Sequence, residues 1–211
     1  KYNTYNSIRD LGLEDKYENL MKQYKSLKGK PGYAFYNVFV ISSLVNSDPE
    51  VLNKANISKF NAIDNYIYDY AQKKKNFKEV EGIEFQKKLT VELSGDYSEA
   101  TLDSLANKEM VIKNAKEDLD AYYSGNTQYY EDEQNLLISQ FEQLNDSDKE
   151  KYEKYWNILL YNRNSHMKDT LANSINNGKH DFMGIGCKHI YGKKGIIQLL
   201  KDDGYLVECM K

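Results

Sequence analysis

The closing segment of the chain carries the pattern that most constrains its fold. Residues 181–187 are a strand candidate, a glycine-rich turn follows, and a short apolar helix then runs through Leu200. Gly204 leads into a second strand candidate, residues 205–209. A strand, a helix and a strand in this order favour parallel strands joined by a right-handed crossover. We therefore predict an α/β fold that is rich in helix and has a mostly parallel sheet.

Most of the chain before this segment has the apolar spacing or the composition of helices. The four clearest stretches are residues 11–27, 61–75, 97–125 and 128–144. Residues 145–148, Asn-Asp-Ser-Asp, supply predicted N-cap residues for a further helix, which continues or kinks into residues 163–175 and stops at the Asn-Asn-Gly of residues 176–178. The sequence therefore predicts a large helical region ahead of the closing segment.

Two shorter segments have mixed helix and strand signals. Residues 33–44 have the length of a buried helix, although their β-branched side chains favour a strand, and we prefer the helix. Residues 78–83 partly alternate polar and apolar side chains and predict a short strand, which runs directly into a helix start at residues 84–86. Glu84 would then lie at the C-terminal edge of that strand.

The length of the chain suits one domain, because 211 residues can bury a sizeable core. We predict a single domain over residues 1–211, with a helical region over about residues 1–160 and the closing strand, helix and strand over about residues 181–210. Two cysteines, Cys187 and Cys209, lie on strand candidates that could be neighbours, so a disulfide and two reduced thiols both stay open.

Charge and hydropathy argue against a nucleic-acid partner and against a transmembrane helix in this chain. The 29 Lys and Arg residues and the 32 Asp and Glu residues give a formal net charge of −3 at pH 7, so no positive field points to nucleic acid. No apolar run approaches the ~20 residues that a transmembrane helix needs. The sequence begins at Lys1 rather than at Met, which allows for an upstream signal peptide or lipid anchor, and we expect an extracytoplasmic or lipid-anchored location.

Four residues are candidates for a functional site. His189 ends a glycine-rich run, where the backbone can turn sharply and present an imidazole at the edge of the predicted sheet. Glu84 would bring a carboxylate to the same rim, or it is a surface glutamate at a helix N-terminus. Arg163 and Asn164 could orient a carboxylate or a polar substrate, or they tie two helices together. The sequence has no phosphate-binding loop, no Ser or Cys nucleophile motif and no His-Glu-x-x-His helix.

Four stretches in the same order along the chain resemble the TraB/PrgY/GumN (Tiki-like) family. The most specific is the closing one, a strand candidate that ends in Gly-x-x-His at residues 186–189, followed by a glycine-rich turn, a helix and a Gly-Tyr-x-Val strand at residues 204–207. The other three are Ala62-Ile63-Asp64 with Ala71, residues 80–86, and Arg163-Asn164 with Met167. The resemblance covers the C-terminal three-quarters of such a domain and is closest from Asn162 onward.

The resemblance implies a peptidase-like hydrolase that uses a divalent metal, manganese, cobalt or zinc, on a peptide or protein substrate. In this chain, His189 and Glu84 match metal-ligand positions of the family. Glu84 and Arg163 match catalytic positions, with Arg163 expected to orient carboxylates or substrate. The rival interpretation is a module without catalysis that binds a peptide or a protein, as in members that suppress a peptide pheromone.

One expected motif of the family is missing. Members usually open with another Gly-x-x-His after a first strand, whereas residues 186–189 are the only such motif here. The resemblance therefore implies that both the sheet and the metal site are incomplete in this chain, with a missing N-terminal segment or a second chain to complete them. The alternative is a divergent member that has lost metal chemistry, and Cys187 and Lys188 depart from the smaller or less polar residues of the family.

Overall fold

A computed structural model describes residues 6–57, 63–74, 78–95, 97–179 and 182–209. The α-helices of these residues are α1 Glu14–Gln23, α2 Val38–Asn46, α3 Pro49–Lys54, α4 Ile63–Lys74, α5 Gly82–Leu93, α6 Ser98–Ala106, α7 Lys108–Ser124, α8 Thr127–Glu142, α9 Asp146–Trp156, α10 Asn162–Asn176 and α11 Ile196–Asp202. Two 3-10 turns, Pro31–Phe35 and Cys187–His189, and a π-helical turn, Asn157–Tyr161, complete the regular structure of these ranges. The described part of the chain contains no β-strand. The predicted α/β fold with a mostly parallel sheet is therefore wrong, and the observed class is all-α.

The two closing strand candidates show why the sheet was predicted. Residues 182–186 and 205–209 are not helical, and alternate side chains along them are partly buried. The inward-facing side chains are Met183, Ile185, Tyr205 and Val207, which pack against the core residues Met167, Ile196 and Leu200. Alternation reports which side chains face a core, but a strand also needs a neighbour whose backbone pairs with it. No such pairing forms among the described residues, so these segments are extended chain rather than a sheet.

The third strand candidate, residues 78–83, overlaps the start of a helix. Residues 78–81 have no regular structure, and α5 begins at Gly82. Glu84 therefore lies in the first turn of a helix and not at the edge of a strand. The predicted helix start at residues 84–86 is confirmed, two residues later than the structure places it.

The helical predictions agree with the structure. Residues 11–27 contain α1, residues 97–125 contain α6 and α7, and residues 128–144 lie mostly in α8. The stretch 61–75 contains α4, while residues 61, 62 and 75 lie outside the described residues. Residues 33–44 are divided between a 3-10 turn and α2, so the preference for helix is confirmed from Val38 onward.

One compact unit is built from the described residues within 1–62 and 83–124. In this unit α1 and α2 pack on α6, and α3 packs on α7. Its core contains the fully buried Leu20, Tyr24 and Ile41. The Tyr24 hydroxyl donates a hydrogen bond of 2.6 Å to the Leu105 carbonyl, which joins α1 to α6. Buried apolar faces on adjacent helices therefore hold this unit together.

A second compact unit is built from the described residues within 63–82 and 125–211. In it α8 packs on α9, and α10 packs on α11. Asn145 caps α9 by accepting a hydrogen bond of 3.0 Å from the Asp148 amide, which confirms the predicted N-cap. The helix continues through the π-helical turn into α10 and ends at Asn176, as predicted. The single domain over residues 1–211 stays a prediction.

Two further expectations concern membrane helices and the cysteines. None of the described helices combines the length and the apolar character that crossing a bilayer requires. Cys187 and Cys209 are both reduced within the described residues, the first half-buried and the second exposed. The reduced alternative therefore describes these two side chains.

Candidate functional site

The Gly-x-x-His motif folds into a tight turn that buries its histidine. The His189 amide donates a hydrogen bond of 3.0 Å to the Gly186 carbonyl, which closes the 3-10 turn. The imidazole is only 9% exposed. The turn lies in the second compact unit, beside α10 rather than at the edge of a sheet. The expected sheet edge is thus replaced by a helix that presents polar side chains to the loop.

Asn164 of α10 holds the imidazole and the following loop at once. Its side-chain oxygen lies 2.6 Å from His189 Nδ1, and its side-chain nitrogen donates a hydrogen bond of 2.7 Å to the Lys194 carbonyl. Asn164 is fully buried. Because the Asn164 side chain is shielded from water, these hydrogen bonds fix the position of the loop more firmly than fully exposed bonds would.

The loop is supported from α8 as well. Gln134 is buried and donates a hydrogen bond of 2.6 Å from its amide nitrogen to the Tyr191 carbonyl. Tyr130 stacks on the Tyr191 ring with 5.7 Å between ring centroids. A Cβ atom at Gly192, whose φ is 88°, would overlap the Gln134 carboxamide. Glycine at this position therefore lets α8 approach the loop closely.

Arg163 is neutralised by a carboxylate of its own chain. Its Nε atom donates a hydrogen bond of 2.8 Å to Oε1 of Glu81, and its Nη2 atom donates one of 2.8 Å to Oε2. Nη1 donates a third hydrogen bond, of 3.0 Å, to the Leu159 carbonyl. The two side chains are 15% and 8% exposed. A bidentate, nearly buried pair of this kind ties α10 to the irregular segment before α5 rather than to a second helix. Its catalytic role stays a prediction.

The environment of His189 favours the neutral imidazole. Burial is the main cause that lowers the pKa of His189, and the positive charge of Arg163 lowers it further, while Glu81 partly offsets both. The result is a pKa of about 4. His189 is therefore uncharged near neutral pH, which is the state in which an imidazole nitrogen can bind a metal.

Glu84 has a different environment. It belongs to the first compact unit, whereas His189 and Arg163 belong to the second. Its carboxylate is 82% exposed and lies 2.6 Å from the Lys87 ammonium. An exposed glutamate in the first turn of a helix matches the alternative that relies on the helix dipole. The shared metal site of Glu84 and His189 stays a prediction.

The residues around His189 supply one metal donor rather than a complete set. No group of three or more His, Cys, Asp or Glu side chains that could hold a metal ion occurs within the described ranges. The carboxylate of Glu81, whose charge acts on His189, already accepts hydrogen bonds from Arg163 through both oxygens. Structural and catalytic zinc sites use at least three protein ligands. The described residues alone therefore do not fit a metal ion.

Two partners of the site were missed by the sequence interpretation. Glu81 lies 82 positions before Arg163, and Gln134 lies 57 positions before Tyr191. No helical or strand spacing connects positions so far apart. The one available signal was that Glu81 and Arg163 both fall in stretches that carry the family resemblance.

Comparison with known proteins identifies a family. A family model described as the TraB/PrgY/gumN family matches residues 3–209, which is nearly the whole chain. No curated protein matches the chain, and no solved structure matches it.

Proposed function

The chain belongs to the TraB/PrgY/gumN family, and from this membership and the geometry at His189 we propose that it is a peptidase-like hydrolase that depends on a divalent metal. The observation that carries the proposal is the state of His189. It is buried, neutral near pH 7 and held through Nδ1 alone. In the part of the chain that the structure describes, its Nε2 atom makes no hydrogen bond.

The neutral imidazole supports a ligand role better than a general-base role. A general base works best when its pKa is near the operating pH, and a pKa of about 4 makes His189 a weak base at pH 7. A metal ligand must instead be unprotonated, and its second ring nitrogen is usually held by an oxygen. The hydrogen bond from His189 to the Asn164 oxygen has this form.

The remaining ligands must come from elsewhere. Glu84 is the predicted carboxylate ligand, and a second chain is the other source that we propose. The substrate that the family resemblance implies is a peptide or a protein. We assign no catalytic step to the metal, because the described residues do not complete its coordination.

A second candidate is a module that binds a peptide or a protein without cleaving it, such as a suppressor of a peptide pheromone. Exposed apolar side chains in the second unit favour it. Phe182 and Leu206 are 83% and 86% exposed, and both lie on extended segments whose alternate side chains face the core. Apolar side chains that point into solvent suit contact with an apolar peptide.

Metal titration of the full-length protein tests the proposal directly. We expect one of manganese, cobalt or zinc to bind stoichiometrically in calorimetry, and the His189→Gln variant to bind it at least tenfold more weakly. His166→Gln is the matched control, because His166 is an exposed histidine of the same unit. Absence of binding by the full-length protein, or equal loss in both variants, would refute the metal site at His189.

Two glutamate substitutions on α5 test whether Glu84 is the predicted carboxylate ligand. Glu84→Gln should weaken metal binding if Glu84 is a ligand, whereas Glu92→Gln should not. Both glutamates are exposed residues of α5, and each forms a salt bridge with a lysine of that helix. If the two variants bind metal equally well, Glu84 is not a ligand.

Peptide experiments separate the two candidate functions. A hydrolase should cleave members of a peptide library only after the metal is added, and chelation should stop the cleavage. A binding module should retain a peptide without cleavage and without metal, and Phe182→Ser should weaken that retention.

A further inference from the structure

We propose that Asn164 is a positioning residue that fixes which nitrogen of His189 carries the proton, and so leaves the Nε2 lone pair available to a ligand. The use of that lone pair rests on the proposed function. The position of the proton does not, because it follows from hydrogen bonds within this chain.

The argument starts from a backbone carbonyl, which can only accept. The Lys194 carbonyl lies 2.7 Å from a side-chain terminal atom of Asn164, and only the amide nitrogen of that side chain can donate to it. The other terminal atom must then be the oxygen, which can only accept. That oxygen lies 2.6 Å from His189 Nδ1. Nδ1 must therefore carry the proton that the hydrogen bond requires.

The opposite orientation of the amide is excluded by the same carbonyl. If the amide of Asn164 were rotated by half a turn, its oxygen would face the Lys194 carbonyl, and two acceptors would meet at hydrogen-bond distance. Burial of the Asn164 side chain makes such a contact costly, because its oxygen would lose the hydrogen bond it has with His189 and gain none. Asn164 has no exposed surface. The orientation of the amide is thus determined by the chain itself.

A neutral imidazole carries one proton on its two nitrogens. With that proton on Nδ1, Nε2 is left with a lone pair in the plane of the ring. Free histidine favours the opposite tautomer, with the proton on Nε2. The hydrogen bond to Asn164 therefore selects the less common tautomer, and in that tautomer Nε2 can bind a metal ion or accept a proton.

Neighbouring contacts hold Asn164 and its two hydrogen-bond partners in place. Arg163 precedes Asn164 on α10 and is held by two hydrogen bonds to Glu81 and one to the Leu159 carbonyl. At the other end, the Ile197 amide donates a hydrogen bond of 3.2 Å to the Ile190 carbonyl, which holds the start of α11 against the His189 turn. The backbone that carries Asn164 and the loop that carries His189 and Lys194 are therefore both held by further hydrogen bonds.

Nitrogen chemical shifts of His189 test the proposal. The full-length protein with 15N-labelled histidine should show, near neutral pH and without metal, a protonated Nδ1 and an unprotonated Nε2 at His189. His189→Gln identifies the signals. A wild-type spectrum with the proton on Nε2 would overturn the proposal without any other variant.

Substitutions then test Asn164 itself. In Asn164→Ala we expect the proton of His189 to move largely to Nε2, whereas Asn162→Ala, an exposed asparagine of the same helix, should leave it on Nδ1. An unchanged tautomer in a folded Asn164→Ala protein would refute the role of Asn164. If that variant fails to fold, the wild-type spectrum is decisive, because a proton on Nε2 of His189 contradicts the role of Asn164 without any substitution.

The same samples separate this inference from the proposed function. Titration of metal into the wild type either shifts the His189 Nε2 signal or leaves it unchanged. A protonated Nδ1 with no metal response supports the role of Asn164 and contradicts the metal site. A metal response with the proton on Nε2 in the metal-free protein contradicts the role of Asn164 alone.

Discussion

Single residues around His189 are constrained by what lies next to them. Asn164 must be an amide, because one of its terminal atoms faces a carbonyl and the other faces an imidazole. Glu81 must carry a charge, because it shares a nearly buried position with Arg163. Removing either member of such a pair leaves the other charge without compensation, at a cost of about 3–5 kcal/mol. These residues therefore hold the site in shape whether or not a metal binds.

Gly192 should resist substitution because of its contact with Gln134. In Gly192→Ala the new methyl group must displace the Gln134 carboxamide from the Tyr191 carbonyl, and the hydrogen bond between them is lost. Gly204→Ala is the matched control, since Gly204 has a φ of 86° but no atom within 4 Å of the added Cβ. We expect Gly192→Ala to lower the free energy of unfolding by about 1–3 kcal/mol more than the control, measured by urea denaturation. Equal losses would show that Gln134 does not constrain the loop.

The low pKa of His189 predicts a pH dependence of stability. Folding lowers this pKa from 6.5 to about 4, so the unfolded chain binds a proton at His189 more readily than the folded chain does between these values. The stabilising contribution is fully present above about pH 6.5 and is lost as the pH falls toward 4.

Urea denaturation at several pH values checks this dependence. Between pH 7 and pH 4.5 the wild type should lose on the order of 2 kcal/mol more stability than His189→Gln does. Carboxylates that titrate in the same range are common to both proteins and cancel in the difference. Parallel curves for the two proteins would contradict the burial of a neutral imidazole.

Helix ends and interruptions account for much of the local structure. The π-helical turn Asn157–Tyr161 ends two residues before Arg163, and its Leu159 carbonyl accepts a hydrogen bond from Arg163. A π-turn inserts an extra residue into a helix and changes the direction of every later side chain. The turn therefore contributes to the directions in which Arg163 and Asn164 point.

Asp48 joins two elements of the first unit through both carboxylate oxygens. One oxygen caps α3 by accepting a hydrogen bond of 2.9 Å from the Glu50 amide. The other oxygen accepts a hydrogen bond of 2.8 Å from the amide of Ser26, which follows α1. Asp48→Asn has the same shape but places an NH2 group against one of these donors. Because Asp48 is fully buried, we expect a loss of about 1–3 kcal/mol in urea denaturation. The exposed Asp120→Asn should change stability by less than about 0.5 kcal/mol, and a similar change in both variants would contradict the capping role.

At the scale of the whole molecule, the chain builds two units from interleaved segments. It passes from one unit to the other near residues 62, 82 and 124. Each unit has its own buried core, with Leu20 in the first and Leu200 in the second. Because neither unit is one continuous stretch of chain, we propose that they fold as the single domain predicted over residues 1–211.

Core truncation in each unit tests this cooperativity. Leu20→Ala and Leu200→Ala should each cost about 2–5 kcal/mol and should shift one common unfolding transition in calorimetry. Hydrogen exchange followed by mass spectrometry should then show lower protection in both units of each variant. Loss of protection confined to the unit that carries the substitution would show two independent domains.

The sequence by itself determined the helices and the family. Apolar spacing and cap residues located α1, α6 to α9 and the end of α10, because these signals are local and act within a few positions. The ordered stretches that end in Gly-x-x-His identified the TraB/PrgY/gumN family, and the family match over residues 3–209 confirms it. His189 was singled out from the same motif.

Only the tertiary structure decided the fold class and the partners of the site. The alternation at residues 182–186 and 205–209 indicates that one face of each segment is buried. A segment packed on helices without pairing has such a face, and so does a β-strand. Arg163 contacts Glu81, 82 positions away, and His189 contacts Asn164, 25 positions away. Contacts at such separations depend on how helices pack, and packing is determined by the summed burial of many side chains rather than by any local pattern.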